Sequence, residues 1–165
     1  MIEIIQADKS HFEIIKNIAS NTWPDTFGDI LSESQINYML DMMYSLDSLN
    51  NQIEKLNHTF LLAKEDQNNY GYLSYELDYK NESKTKIHKI YILPKTQGKG
   101  IGKKLIDRLT EIALNNNQKV LALNVNRFNK AVGFYQKIGF EIIGQENIDI
   151  GDGFLMEDFI MEKVL

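Results

Sequence analysis

The sequence predicts an α+β domain, a central mixed but mostly antiparallel twisted sheet with helices on both faces. Three observations lead there. β-rich runs separated by polar turns fill the middle of the chain, a strongly amphipathic stretch follows over residues 100–116, and the nearly unbroken apolar run Val120 to Val125 comes directly after it. Hairpins followed by a strand–helix–strand unit give a mixed sheet, and the apolar run reads as its buried central strand. With 165 residues, 43% of them apolar, the chain is about one domain's worth and can build its own core.

The elements follow in order. Residues 2–6 read as an opening strand and 9–21 as a helix with Phe12, Ile15 and Ile18/Ala19 on one face. Trp23-Pro24-Asp25-Thr26-Phe27-Gly28-Asp29 reads as a turn-rich segment. Ser32-Glu33-Ser34-Gln35 resembles a capping box, and Ile36, Met39/Leu40 and Met43 continue the helix it opens. A short helix is expected over 48–57, then strands over His58–Lys64 and Tyr70–Tyr79, joined by Glu65-Asp66-Gln67-Asn68-Asn69. Ile87–Leu93 is the next strand, with Lys84, Lys86 and Lys89 along a solvated strand edge. Ile101, Leu105, Leu109 and Ile112 set the helical period of 100–116. Ala131, Phe134/Tyr135 and Ile138 mark a further helix, stopped by Gly139. Phe140–Gly144 and Phe154–Leu165 close the chain as strands around a loop at 149–153.

Composition excludes several chemistries. There is no cysteine, hence no disulfide, thiol nucleophile or thiolate zinc site, in keeping with a cytoplasmic location. His11, His58 and His88 are far apart and make no ligand spacing, so no metal is expected. The first residues lack a basic segment followed by a long apolar run, and no stretch approaches the roughly 20 apolar residues of a membrane span. Eighteen basic against 23 acidic residues give a net charge of −5, which speaks against nucleic acid as a partner and favours a small cationic one.

The chemistry concentrates where the strand ending at Leu93 feeds Gln97-Gly98-Lys99-Gly100-Ile101-Gly102-Lys103 and opens a helix. Such a turn presents main-chain N–H groups beside the unpaired donors and partial positive charge of a helix start. The glycines remove side chains that would hold off a phosphate. A P-loop is excluded because Lys103 stands five places after Gly98, and the dinucleotide pattern GxGxxG fails at the same residue.

Gln97, Gly100 and Gly102 match Arg/Gln-x-x-Gly-x-Gly/Ala, the acetyl-CoA loop of the GNAT N-acetyltransferase superfamily, which the chain resembles over nearly its whole length. A second motif supports the resemblance: Asn126, Asn129 and Ala131, followed by Phe134-Tyr135-Gln136-Lys137-Ile138-Gly139-Phe140. The closing Asp158-Phe159-Ile160-Met161 also resembles that family's last strand. Thr22-Trp23-Pro24-Asp25-Thr26-Phe27-Gly28 and Ile36-Asn37-Tyr38-Met39-Leu40 are similar to the PaiA-type spermidine/spermine acetyltransferases.

The resemblance implies a GNAT fold and transfer of an acetyl group from acetyl-CoA to a primary amine, best a polyamine. A protein N-terminus, a lysine side chain, an amino acid, or a CoA-binding sensor without turnover are the alternatives. It further implies that the amides around Tyr91, Ile92 and Leu93 pair with the pantetheine arm. Gln97, Gly98, Lys99, Gly100, Ile101, Gly102 and Lys103 would hold the pyrophosphate, with Asn126, Asn129 and Lys137 at further cofactor contacts. Tyr135 would protonate the departing thiolate, a task suited to a phenol of pKa about 10. Lys86 stands where relatives often carry the acidic base, which leaves His88 or a water-relayed carboxylate such as Glu76. Trp23, Phe27 and Tyr38 are candidates for the substrate wall, with core packing the alternative for Trp23 and Phe27. Asn126 and Asn129 are equally ordinary cap residues. A homodimer is compatible with the sequence, and neither a nucleic acid nor a membrane is expected as a partner.

Overall fold

The run Phe60-Leu61-Leu62-Ala63 is apolar without alternation, and all four side chains are buried. A strand of this kind must be covered on both faces. A computed structural model, describing residues 1–165, has that arrangement. In chain order the elements are β1 (Glu3–Gln6), α1 (Phe12–Phe27), α2 (Glu33–Tyr44), α3 (Leu46–Glu54), β2 (Thr59–Glu65), β3 (Asn68–Glu76), β4 (Lys84–Ile92), α4 (Ile101–Asn115), β5 (Val120–Asn126), α5 (Ala131–Lys137), β6 (Glu141–Gly151) and β7 (Phe154–Val164). The seven strands form one sheet in the order β1-β2-β3-β4-β5-β7-β6. Only β4 and β5, joined through α4, are parallel.

Two cores lie on opposite faces. Leu61, Ala63, Leu73, Ile87, Leu123 and Met161 pack against Leu105, Leu109 and Ala113 of α4 and Tyr135 of α5. Phe60, Leu62 and Tyr72 pack against Ile15, Ile18 and Trp23 of α1 and Met39 of α2. The strand positions alternate between the two sets, as period-two geometry requires.

The central strand β4 is irregular in two places. Ser74 pairs with Lys89 but Tyr75 pairs with Ile87, which leaves His88 as the extra residue of a bulge. Pairing between β4 and β5 covers only Lys84–Ile87 against Val120–Leu123. Past that point the two strands part, although β4 runs on to Ile92 and β5 to Asn126.

The structure corrects four expectations. Residues 23–27 are helix, because the buried stripe of α1 continues through Trp23 and Phe27 and outweighs the hydrogen bond that Pro24 cannot donate. The carbonyl this leaves over belongs to Ser20, an exposed residue. β6 is 11 residues long, pairing with β7 as far as Gly151 against Phe154. It is an exposed outer strand, so its polar half lacks the apolar signal of a buried one. Ser32 does accept from the Gln35 N–H at 3.1 Å, but the Gln35 side chain reaches to the Leu155 carbonyl instead of closing a box. Lys84, Lys86 and Lys89 are not on a sheet edge, since β4 is central.

Trp23 is 2% exposed and packs on Phe27, Tyr44 and Tyr91 with ring centroids 4.9, 6.1 and 5.5 Å away. Trp23→Ala is expected to cost about 3–5 kcal/mol of stability, read from urea unfolding.

Candidate active site

The end of β4 brings together the gap between two strands and a loop of unpaired amides. Leu93 donates its N–H to the Tyr70 carbonyl at 2.8 Å. Antiparallel alternation then turns the main chain of Tyr91 towards β3 and that of Ile90 and Ile92 into the gap. Of the three amides expected to face a ligand, Ile92 does so, while those of Tyr91 and Leu93 serve the sheet.

The Gln97 side-chain amide bonds back to the Ile92 carbonyl at 3.2 Å, fastening the loop to the strand. Gly98 and Gly100 then adopt φ of +84° and +76°, and nothing lies within 4 Å of a Cβ built on either. The left-handed backbone, not crowding, requires glycine there. From Gly98 through Lys103 no main-chain N–H has an acceptor in the protein; the first bond of α4 runs from the Lys104 N–H to the Gly100 carbonyl at 3.0 Å. These donors add to the positive end of a 15-residue helix.

They border a groove of about 610 Å³, which Ile90, Tyr91 and Ile92 line from β4. Gln97, Gly98, Gly100, Ile101, Gly102 and Lys103 line it from the loop, and Asn129 and Tyr135 from the far side. Lys99 and Lys137 are exposed and outside that lining, as are Leu93 and buried Asn126. Lys103 also bonds Asp107 at 2.7 Å on its own helix. Both asparagines bond the main chain two residues on: Asn126 Oδ1 accepts from the Phe128 N–H at 3.0 Å and Asn129 Oδ1 from the Ala131 N–H at 2.9 Å. Their side-chain NH₂ groups stay available as donors. Tyr135 is buried, and burial raises its phenol well above the usual value, which keeps it protonated.

The three candidates for a substrate wall are placed elsewhere. Trp23 and Phe27, 2% and 3% exposed, lie in the core beneath Tyr91. Tyr38 donates its hydroxyl to the Ile150 carbonyl at 3.1 Å and packs on Phe154, clamping α2 to the β6–β7 hairpin. The groove instead takes Asp25, Thr26, Asp29 and Ile30 from the end of α1 and beyond, with Phe128 and Phe134 opposite. Sequence reasoning missed these because it read 23–29 as a turn.

His58 and His88, far apart in sequence, stack with ring centroids 3.9 Å apart and planes 15° from parallel. Glu76 Oε1 lies 3.0 Å from His88 Nε2 and 3.8 Å from His58 Nε2, so their ligand atoms fall within 4.8 Å of one another. The expectation from spacing alone missed this cluster. Imidazoles that share an ion aim in-plane lone pairs at it, whereas stacked rings set those planes side by side; the contact is a hydrogen-bonded histidine–carboxylate pair. Burial pushes His88 down to about 2 and His58 to about 4, while it raises Glu76.

Lys89, also on the bulge, donates to Gln52 Oε1 at 2.6 Å above the Tyr44 and Phe60 rings, and burial lowers it to about 8. Lys86 bonds Asn124 Oδ1, Asn124 Nδ2 bonds Glu146 Oε2 at 3.0 Å, and Asp158 lies beside them. In the sequence Asp158 stands beside Glu157, in the run that resembles the family's last strand.

The fold and groove define a transferase domain of the acetyltransferase class, and the family model for the acetyltransferase (GNAT) domain matches residues 29–162. The chain belongs to the GNAT family. It is 29% identical over 167 residues to the spermidine N(1)-acetyltransferase of Thermoplasma acidophilum, covering 98% of this chain and 96% of that one. It is 26% identical over 170 residues to an uncharacterized N-acetyltransferase of Lactobacillus delbrueckii subsp. lactis, covering 99% and 98%. The crystal structure of the PaiA N-acetyltransferase of Thermoplasma acidophilum in complex with coenzyme A superposes with a TM-score of 0.85 at 28% identity, covering 100% and 99%. No helix is long and apolar enough to cross a membrane.

The two histidines give the fold a pH dependence of definite sign. Unfolded, each protonates near 6.5; folded, both stay neutral to much lower pH, so below about 6.5 the unfolded chain binds more protons and stability falls. The melting temperature is expected to drop from pH 7.5 to pH 5, and to drop less in the double variant His58→Asn/His88→Asn.

Proposed function

We propose that the protein acetylates a primary amine of a small polyamine, using acetyl-CoA as donor, by direct attack without an acyl-enzyme. The observation that carries this is the run of unpaired N–H groups from Gly98 to Lys103, bordering a groove that continues into the gap between β4 and β5. The loop amides take the diphosphate, and Lys103 adds charge. The Ile90 and Ile92 main chain supplies the edge of a strand to which the pantetheine amides add. Asn129, and Asn126 behind it, offer their free side-chain NH₂ groups.

The thioester then lies where β4 and β5 part, beside Tyr135. The amine nitrogen forms a bond to the carbonyl carbon, the carbon–sulfur bond breaks, the Tyr135 hydroxyl delivers its proton to the leaving sulfur, and the proton that the new amide nitrogen sheds restores the phenol. A phenol raised by burial holds that proton until negative charge develops. An alkylammonium near pKa 10.4 must first lose a proton, at about 4–5 kcal/mol at pH 7. His88 is the first residue past the last β4–β5 pair. Its Nε2–H donates to Glu76, which leaves Nδ1 as acceptor; a proton taken there releases the Nε2 proton to the raised Glu76 carboxyl. The low basicity of the buried imidazole favours passing the proton on.

Three features support the polyamine. They are the spermidine-acetylating relative, the net charge of −5, and Asp25 and Asp29 on the groove wall. The absence of cysteine fits a cytoplasmic place of action.

Acetyl-CoA is expected to raise the melting temperature, whereas ATP and NAD leave it unchanged. Spermidine is expected to release free thiol from acetyl-CoA, with Tyr135→Phe lowering kcat about 100-fold or more at unchanged acetyl-CoA affinity. Thiol release from no amine would overturn the activity, and release with an amino acid or peptide but no polyamine would overturn the acceptor.

A further inference from the structure

The sheet face opposite α4 and α5 carries a carboxylate that the transfer chemistry leaves unused. Asp158 on β7 stands in register between Asn126 of β5 and Glu146 of β6. It is 6% exposed, and its Oδ1 has no hydrogen-bond partner. Its Oδ2 receives only the Asn124 Nδ2 at 3.4 Å. Two cations are near, and neither donates to Asp158, although the Arg127 Nε is itself buried without a partner. The Lys86 ammonium bonds Asn124 Oδ1. The Arg127 guanidinium bonds Gln145 Oε1 at 2.8 Å and Asn147 Oδ1, with Glu157 at 3.6 Å.

A buried carboxylate oxygen without a donor is costly, and a donor that arrives from outside removes that cost. Burial and the Glu146 charge hold the Asp158 carboxyl above its usual range, a shift that an incoming cation reverses. Asp158 also lies past the point where β4 and β5 part, because its register partner on β5 is Asn126 and the β4–β5 pairing ends at Leu123. Glu146 is exposed, one strand further out, and is held by Asn124 Nδ2 at 3.0 Å. The two carboxylates thus lie at different depths along one line that starts at Asn126 and runs out across β7 and β6.

We propose that Asp158 and Glu146 form a two-carboxylate acceptor subsite, in which Asp158 takes one ammonium of a linear polyamine and Glu146 takes the next at the rim, so that a third, uncharged nitrogen is left to attack the thioester. An ammonium brings three donors and a charge, which fits an acceptor-only carboxylate already stripped of water. Backbone methylenes of the amine lie between the two anchors. This subsite rests on the acetyl-transfer reading and narrows it, since a monoamine, whose one nitrogen must react, engages neither carboxylate.

The test uses the full chain at saturating acetyl-CoA, with spermidine and butylamine as acceptors and thiol release as readout. Asp158→Asn is expected to raise the spermidine KM about 10- to 100-fold, the worth of a charge-assisted hydrogen bond, while kcat falls far less. Its melting temperature is expected to hold, because an unpaired buried charge is removed; a merely structural Asp158 would move melting and leave KM alone. Glu146→Gln is expected to raise KM for spermidine several-fold and to leave butylamine unaffected. An unchanged spermidine KM in Asp158→Asn, or an equal effect of Glu146→Gln on both amines, overturns the subsite. If the wild-type chain released thiol with no amine, the acetyl-transfer reading would fail by itself. Calorimetry of spermidine with the CoA-loaded wild type and Asp158→Asn would then decide the subsite separately: binding lost in the variant supports it, and equal or absent binding overturns it.

Discussion

The structure depends on a sheet that stops pairing in its own middle. β4 and β5 are central strands, yet their hydrogen bonds end at Ile87 and Leu123 while both strands run on. Main-chain groups in such a place need partners. The sheet leaves the Ile90 and Ile92 groups directed into the gap, and the loop after β4 leaves its own N–H groups unpaired from Gly98 to Lys103. A long ligand with amides at one end and a diphosphate at the other satisfies both sets at once. On the proposed reading, the cofactor completes hydrogen bonding that the fold leaves open.

The same parting explains where the polar side chains collect. One face of β4 and β5 packs under α4 and α5 and is apolar, with Ile87, Leu123 and Val125 in its core. On the other face α1 to α3 cover β1 to β4, and the neighbouring stretch of β5, β7 and β6 carries Asn124, Asp158 and Glu146. The bulge at His88 brings that residue and Lys89 towards the same side, where burial keeps the imidazole neutral and lowers the lysine to about 8. Most of these groups are buried or half-buried, so each charge there depends on the partner it finds. Lys89 has Gln52, Lys86 has Asn124, and Asp158 Oδ1 has none.

Features governed by local chemistry were legible in the sequence. Gly98 and Gly100 read as a phosphate-binding turn because a left-handed backbone selects glycine, and α4 read clearly because its apolar stripe is strong. Features governed by remote packing were not. Pro24 read as a break, but the burial of Trp23 and Phe27 decided for helix. The polar half of β6 read as loop, because an outer strand carries no apolar alternation on its solvent side. The histidines read as unrelated, since only the folding of the β4 bulge against the approach to β2 brings His58 and His88 into contact.

The sequence by itself determined the α+β class, the glycine loop, Tyr135 and the family resemblance, because these reside in residue types at short, fixed spacings. Only the tertiary structure decided which amides face the gap, that Trp23 and Phe27 are core, and that Asp158 is buried beside Asn126 and Glu146. Those facts come from how strands far apart in the chain are aligned, and sequence spacing carries no record of that alignment.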